Sequence, residues 1–219
     1  MHDSRWSGHW SIQAARATVG AVREYYEELW RRLPDDAVPA DFERRLRFLL
    51  DEVVAGERVL DIGCGRGEFT AALARAGARA VGVEVADAAL AGARARHSRL
   101  DFRLVPIDGP LPLDDNSFDL AWAGEVIEHV ADTARWLSEL RRVLRPRGRL
   151  LLTTPSHGRL RVALGGIERF SDPLGDHLHL YTKHSLASVL REFDFGEVAI
   201  RAFGGAPLLR HGLLGRCTR

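Results

Sequence analysis

Val59-Leu60-Asp61-Ile62-Gly63-Cys64-Gly65-Arg66-Gly67-Glu68 reads as a buried strand ending in an acidic, glycine-rich turn that opens a helix. Glycines at 63, 65 and 67 let the backbone turn tightly and approach a bound nucleotide closely. The following Phe69-Thr70-Ala71-Ala72-Leu73-Ala74 has the apolar spacing of a helix packed on a sheet. In a dinucleotide-binding turn the third glycine stands three positions after the second, and a pyrophosphate rests on the helix N-terminus. Here that position is Glu68, and Asp61 adds a second carboxylate beside the turn. Like charges at close range in a partly dry pocket cost several kcal/mol at an effective dielectric of about 20, so this turn favours a cationic ligand over a pyrophosphate.

The turn D-I-G-C-G-R-G resembles motif I of the class I S-adenosylmethionine-dependent methyltransferases, whose cofactor carries a sulfonium and an ammonium group. The resemblance implies cofactor contacts from Asp61, Gly63, Cys64 and Gly65. Arg79-Ala80-Val81-Gly82-Val83-Glu84 is a second apolar strand, ending in an acid 21 positions after Gly63. That is close to the spacing of about 20 expected for a carboxylate on the ribose hydroxyls, so Glu84 takes this role with Val85 beside it. A third strand, about 101 to 105, runs into Pro106-Ile107-Asp108-Gly109, which resembles the family loop whose Asp hydrogen-bonds the adenine amino group. This makes Asp108 and Gly109 the expected adenine contacts. Asp114 to Ala123 resembles the family's fourth strand with its turn-rich lead-in, and Gly124-Glu125-Val126-Ile127-Glu128-His129-Val130 follows, placing Gly124 and Glu125 at the cofactor.

The remaining elements arrive in the family's order. A helix is expected at about 131 to 144, a break at Pro146-Arg147-Gly148, and a strand from Arg149 to Pro155. Thr182 is placed as the N-cap of a helix ending near Asp194, followed by a strand from Gly196 to Ala202. Leu208 to Cys217 shows only faint alternation, broken by Gly212 and Gly215, so the closing hairpin is expected to be short or irregular. The predicted fold is α/β: a seven-stranded Rossmann-like doubly wound sheet, mostly parallel with an antiparallel edge strand and helices on both faces. Residues 55 to 219 form its core, 1 to 54 a helical cap, and 156 to 180 an active-site loop or lid.

At 219 residues and 46% hydrophobic, the chain can build one full core. No apolar run approaches the roughly 20 residues that cross a bilayer, and the start lacks the apolar region of a secretory signal, so a cytoplasmic location without integral membrane association is expected. The formal charge of +1 supplies no global field for a polyanion, and nucleic acid is not implied. The cluster Arg141, Arg142, Arg145, Arg147 and Arg149 straddles a helix end and reads as a solvated surface. Cys64 and Cys217 are expected to form no disulfide or metal site. A single lysine among 31 basic residues, with abundant alanine, hints at a bacterial, GC-rich genome.

Residues 18 to 33 and 41 to 54 carry apolar side chains at helical spacing. In similar methyltransferases such helices cover the cofactor, so Tyr25 or Tyr26 would touch its methionine end; the alternative is plain packing of both rings. Trp6 and Trp10 belong either to a mobile cap or to a disordered start. The long connection from Ser156 to Leu180 is where the acceptor would be read, whether by binding an apolar acceptor, touching a membrane surface or packing on the sheet.

For a hydroxyl acceptor a general base removes the proton, and histidine suits the task with an ordinary pKa near 6.5. His129, His157, His177 and His179 stand near the expected site, with His129, His177 and His179 the candidate bases. A structural role for His129 and ordinary packing for the other two are the competing readings. His177 and His179 alternate along an extended stretch, which puts them on one side of it. A metal would need a third ligand there, and none is expected. The expected function is S-adenosylmethionine-dependent methyl transfer to a small molecule, at oxygen before carbon or nitrogen, in the branch that includes quinone-biosynthesis and natural-product O-methyltransferases. The product cofactor would be S-adenosylhomocysteine. The alternatives are a cofactor-holding protein without catalysis and a nicotinamide-dependent oxidoreductase.

Overall fold

The computed structural model describes residues 19–107, 109–158, 162–163, 177–206 and 209–219. Seven strands form one sheet: β1 (Arg58–Ile62), β2 (Arg79–Glu84), β3 (Asp101–Leu104), β4 (Phe118–Gly124), β5 (Leu144–Pro155), β6 (Gly196–Phe203) and β7 (Gly212–Thr218). Their order is β3-β2-β1-β4-β5-β7-β6. All neighbours from β3 to β5 pair in parallel, while β7 runs antiparallel to both β5 and β6. The antiparallel pairing therefore lies at the β6 edge, with β7 between β5 and the edge strand.

The helices are α1 (Val19–Arg32), α2 (Phe42–Leu50), α3 (Glu68–Arg75), α4 (Asp87–Arg96), α5 (Thr133–Val143) and α6 (Lys183–Glu192). Two apolar layers cover the sheet. Leu60, Ala121, Ala123, Leu150 and Leu152 face one core with Leu137 and Leu140 of α5 and Leu186 and Leu190 of α6. Val59, Leu120, Trp122 and Leu151 face the other, with Leu49 of α2 and Phe69 and Leu73 of α3. Side chains of β4 and β5 alternate between the two layers with the period of an extended strand, which is why these parallel strands read as nearly continuous apolar runs.

Local signals are met at α6, where Thr182 and Ser185 form a reciprocal capping box. Two local expectations change. The faint closing strand is a regular seven-residue β7, whose Gly212 and Gly215 admit Phe203 on one side and Ile200 with Leu152 on the other. β5 starts at Leu144 rather than Arg149, because Leu144 already pairs with Phe118 ahead of the irregularity that Pro146 and Gly148 introduce. Among the described residues no helix is long and apolar enough to cross a membrane.

Candidate active site

The strand order reverses between β1 and β4, and in open α/β sheets ligands settle at the carboxyl ends of the strands beside such a switch. The β1 turn lies there. Gly63 and Gly65 take left-handed conformations, with φ of 67° and 53°. A Cβ at Gly63 would stand 2.7 Å from Val126, and one at Gly65 would stand 2.6 Å from the Trp30 ring. Both positions thus need glycine for backbone conformation and for close approach. Glu84, at the end of β2, is buried and accepts from Gly65 N at 3.1 Å, Val85 N at 2.7 Å and Ala86 N at 3.3 Å. Burial raises its carboxyl pKa above the usual range, against the opposing pull of those amides. Cys64 packs as a buried thiol near Gly82, and burial holds it well above the ordinary thiol range.

Asp61 faces α3, where the Thr70 hydroxyl donates to its carboxylate at 2.5 Å. Burial pushes its pKa up to about 7, with Glu84 adding to the rise and Thr70 opposing it. Glu68, the first residue of α3, is partly offset by Arg96 at 3.8 Å, while its charge still acts on Asp61 and Cys64. Asp61, Glu84 and Glu68 are the acids that act on Cys64 in the turn, and a second group of acids lies at the end of β4. Glu125, in a left-handed conformation (φ 59°), and the fully buried Glu128 have pKa values raised by burial, Glu128 well above the ordinary range.

These acids surround Arg45, which is 3% exposed. Its guanidinium reaches from α2 to Gly124, donates to the Ala40 carbonyl at 3.2 Å and lies 5.2 Å from the centre of the Phe69 ring. Desolvation lowers its pKa, and Glu125, Glu128 and Asp61 oppose that shift. Its Nε meets no hydrogen-bond partner among the described residues. Sequence reasoning missed Arg45, although the signal was present: it falls three residues after Phe42 and four before Leu49, on the apolar face of α2.

The helix α1 closes over the turn. Arg66 donates to the carbonyls of Trp30 and Leu33, each at 3.0 Å, and to that of Pro34, capping the end of α1. Glu27 accepts from Asp87 N at 2.6 Å and Ala88 N at 2.9 Å, capping the start of α4. Tyr25 and Tyr26 stack edge to face at 5.3 Å within the same helix. Gly109 is described but Asp108 lies outside the described residues, as do Trp6, Trp10 and most of the connection from Ser156 to Leu180.

The family described as "Methyltransferase domain" matches residues 60–152. A ubiquinone biosynthesis O-methyltransferase of Hahella chejuensis is 32% identical over 183 residues, which are 78% of this chain and 76% of that protein. The chain belongs to the S-adenosylmethionine-dependent methyltransferases. A demethylmenaquinone methyltransferase of Tropheryma whipplei is 39% identical over 123 residues, 55% of this chain and 51% of that one. The chain spans about half the length of most of these curated relatives, from 41% to 51%. The fold matches that of an Archaeoglobus fulgidus S-adenosylmethionine-dependent methyltransferase with a TM-score of 0.70 at 18% identity, over 89% of this chain and 98% of that one. Membership in this methyltransferase family displaces the oxidoreductase reading of the glycine turn.

Beyond the ends of β4 and β5, three histidines converge. The His129 and His177 rings stand edge to face at 5.1 Å, and His157 Nε2 lies 3.2 Å from His177 Nδ1. His179 does not join them. Leu178 N and His179 N both donate to the Glu128 carbonyl, at 2.8 and 3.1 Å, so the chain bends and sends His179 toward Tyr181 instead of keeping it on the side of His177. Glu128, His129 and His177 bring one ligand atom each within 4.8 Å of one another, a set that a divalent cation could use, where the sequence suggested no third ligand. The basic cluster is largely consumed by ion pairs, Arg142 with Glu139 and Asp115, Arg145 with Asp119, and Arg149 with Glu57.

Proposed function

We propose that this chain transfers the methyl group of S-adenosylmethionine to a hydroxyl oxygen of a small molecule. One observation carries the reading: on either side of the β1 turn stand complementary groups, Glu84 at the end of β2 and, beyond the end of β4, Arg45 of α2 among Asp61, Glu125 and Glu128. Glu84 suits the ribose hydroxyls as a two-oxygen acceptor, with Val85 alongside and Asp108 and Gly109 toward the adenine. Arg45 suits the carboxylate of the methionine end. Asp61, Glu125 and the carbonyl-rich turn of Gly63, Cys64 and Gly65 suit its ammonium and sulfonium, with Gly124 leaving room and Tyr26 on the covering helix.

Methyl transfer is an in-line displacement at carbon, and the donor is already activated. The protein's work is to hold the acceptor oxygen about 3 to 3.5 Å from the methyl carbon, exclude water and receive the acceptor's proton. The relatives in quinone biosynthesis favour a hydroxylated ring as acceptor. The first experiment is calorimetric titration with S-adenosylhomocysteine, with NADH in parallel, followed by a screen of hydroxylated small molecules. Micromolar binding of S-adenosylhomocysteine alone with methylation of a hydroxyl supports the reading. Binding without turnover across hydroxyl and amine acceptors makes the chain a cofactor-holding protein, and no binding rejects the site.

A further inference from the structure

Asp41 is the N-cap of α2, and an aspartate there ordinarily accepts from the first amides of its own helix. This one makes no such bond. Its backbone is left-handed, with φ of 51°, and its carboxylate accepts from His211 Nε2 at 2.8 Å. A carboxylate can only accept, so Nε2 is a protonated nitrogen of His211. The place of His211 is fixed from several sides. Its N–H donates to the Phe203 carbonyl at 3.1 Å, and its own carbonyl accepts from Ser156 N at 2.8 Å, beside the end of β5. Its ring packs edge to face on Phe203 at 5.6 Å and lies over Gly204, where any Cβ would collide with it. Gly204 and Gly205 are both left-handed, with φ of 69° and 61°, a turn that lets the ring reach α2.

Arg45 depends on the backbone around Asp41 at both of its ends. The Asp41 carbonyl accepts from Arg45 N at 3.0 Å, and the Ala40 carbonyl, one residue earlier, accepts from the Arg45 guanidinium at 3.2 Å. A rotation of the backbone at Asp41 therefore moves the root and the head of Arg45 together. The side chains of His211 and Asp41 are 39% and 33% exposed, so their pairing adds little to stability, and its effect is geometric. Both groups also lie within electrostatic reach of Glu125, which joins Arg45 beyond the end of β4. We propose that His211 is a positioning residue: by holding Asp41 in its left-handed conformation it aims the Arg45 guanidinium at the amino-acid carboxylate of the cofactor. The inference rests on the methyl-transfer reading for the identity of that ligand. It gives the β6–β7 connection, more than 150 residues along the chain from Arg45, a part in cofactor recognition.

The test is calorimetric titration of the full chain with S-adenosylhomocysteine and with methylthioadenosine, which lacks the amino-acid carboxylate. In His211→Ala the first ligand is expected to bind roughly fivefold more weakly, the size of one lost polar contact at a partly exposed site, and the second to bind as in the native protein. His211→Gln, whose amide still donates to Asp41, restores S-adenosylhomocysteine affinity. With Arg45→Gln already in place, His211→Ala costs nothing further, because the group it aims is gone. Equal weakening of both ligands, full affinity in His211→Ala, or the same fivefold loss in the Arg45→Gln background each overturns the proposal. A second readout needs no ligand: in protein labelled with 15N-arginine, the Nε–Hε signal of Arg45, assigned by its loss in Arg45→Gln, is expected to move in His211→Ala and return in His211→Gln. An unmoved signal overturns the proposal. Should the native protein bind neither ligand, the methyl-transfer reading falls and the arginine signal still decides whether His211 positions Arg45.

Discussion

A guanidinium that is 3% exposed lies among Asp61, Glu125 and Glu128, groups that would otherwise form a patch of uncompensated acid at the ends of β1 and β4. Replacing Arg45 by Gln removes the charge while keeping a polar side chain. On the proposed role, S-adenosylhomocysteine affinity falls roughly ten- to a hundredfold, the size of a lost hydrogen bond to a charged group. Methylthioadenosine, which lacks the amino-acid carboxylate, should bind Arg45→Gln and the native protein alike. Equal losses for both ligands would place Arg45 in scaffolding instead. Asp61 is the second residue with a measurable signature. Its folded pKa of about 7 stands above the ordinary 3.8, so the folded state holds this proton more tightly between those values. Stability from this group is therefore full below about pH 4 and declines as pH rises toward 7. The decline amounts to roughly 4 kcal/mol at most, at about 1.4 kcal/mol for each pH unit between the two values. Asp61→Asn should raise the urea midpoint at pH 8 more than at pH 4.5 while weakening S-adenosylhomocysteine binding; an equal change at both pH values would contradict it.

At the scale of elements, α1 is held over the glycine turn by charged side chains borrowed from the core it covers. Arg66 caps its last carbonyls, and its own Glu27 caps the first amides of α4. Trp30 fills the space over Gly65. Few apolar contacts of the main cores involve this helix, so its opening should be a local event well below the cost of global unfolding. Arg66→Gln should speed hydrogen exchange of the α1 amides severalfold and leave the exchange of β1 and β4 unchanged. Faster exchange throughout the sheet would mean that Arg66 supports the whole fold and does more than latch one helix.

At the scale of the whole molecule, pH acts on stability in opposite senses at the two sides of the site. For His177 the folded pKa of about 4 lies below the ordinary 6.5, so the unfolded chain binds the proton first as pH falls. Stability is full above about pH 6.5 and declines toward pH 4. The ring is partly open to solvent, so screening reduces the size of the effect without changing its sign. Urea midpoints at pH 7.5 and 5 should differ more for the native protein than for His177→Gln, and an unchanged difference would remove His177 from the acid side of the profile.

Much of the fold was legible in the sequence. The β1 turn, the strand ending in Glu84 and the Thr182 cap were read from spacing and residue type, the β4 strand ending at Gly124 from the family resemblance, and each of these elements lies where it was expected. These signals are local: strand periodicity, left-handed backbone at glycine and capping chemistry are satisfied within a few residues of chain. What the sequence alone determined is thus the order of strands and helices and the acidic glycine turn. Only the tertiary structure decided that Glu68 turns to Arg96, that β7 enters between β5 and β6, that Arg45 meets the end of β4, and that His157 and His177 share a hydrogen bond while His179 bends away. Those outcomes depend on which charges and ring nitrogens come within a few ångströms of one another across distant segments. Such distances are set by packing, and no periodicity along the chain encodes them.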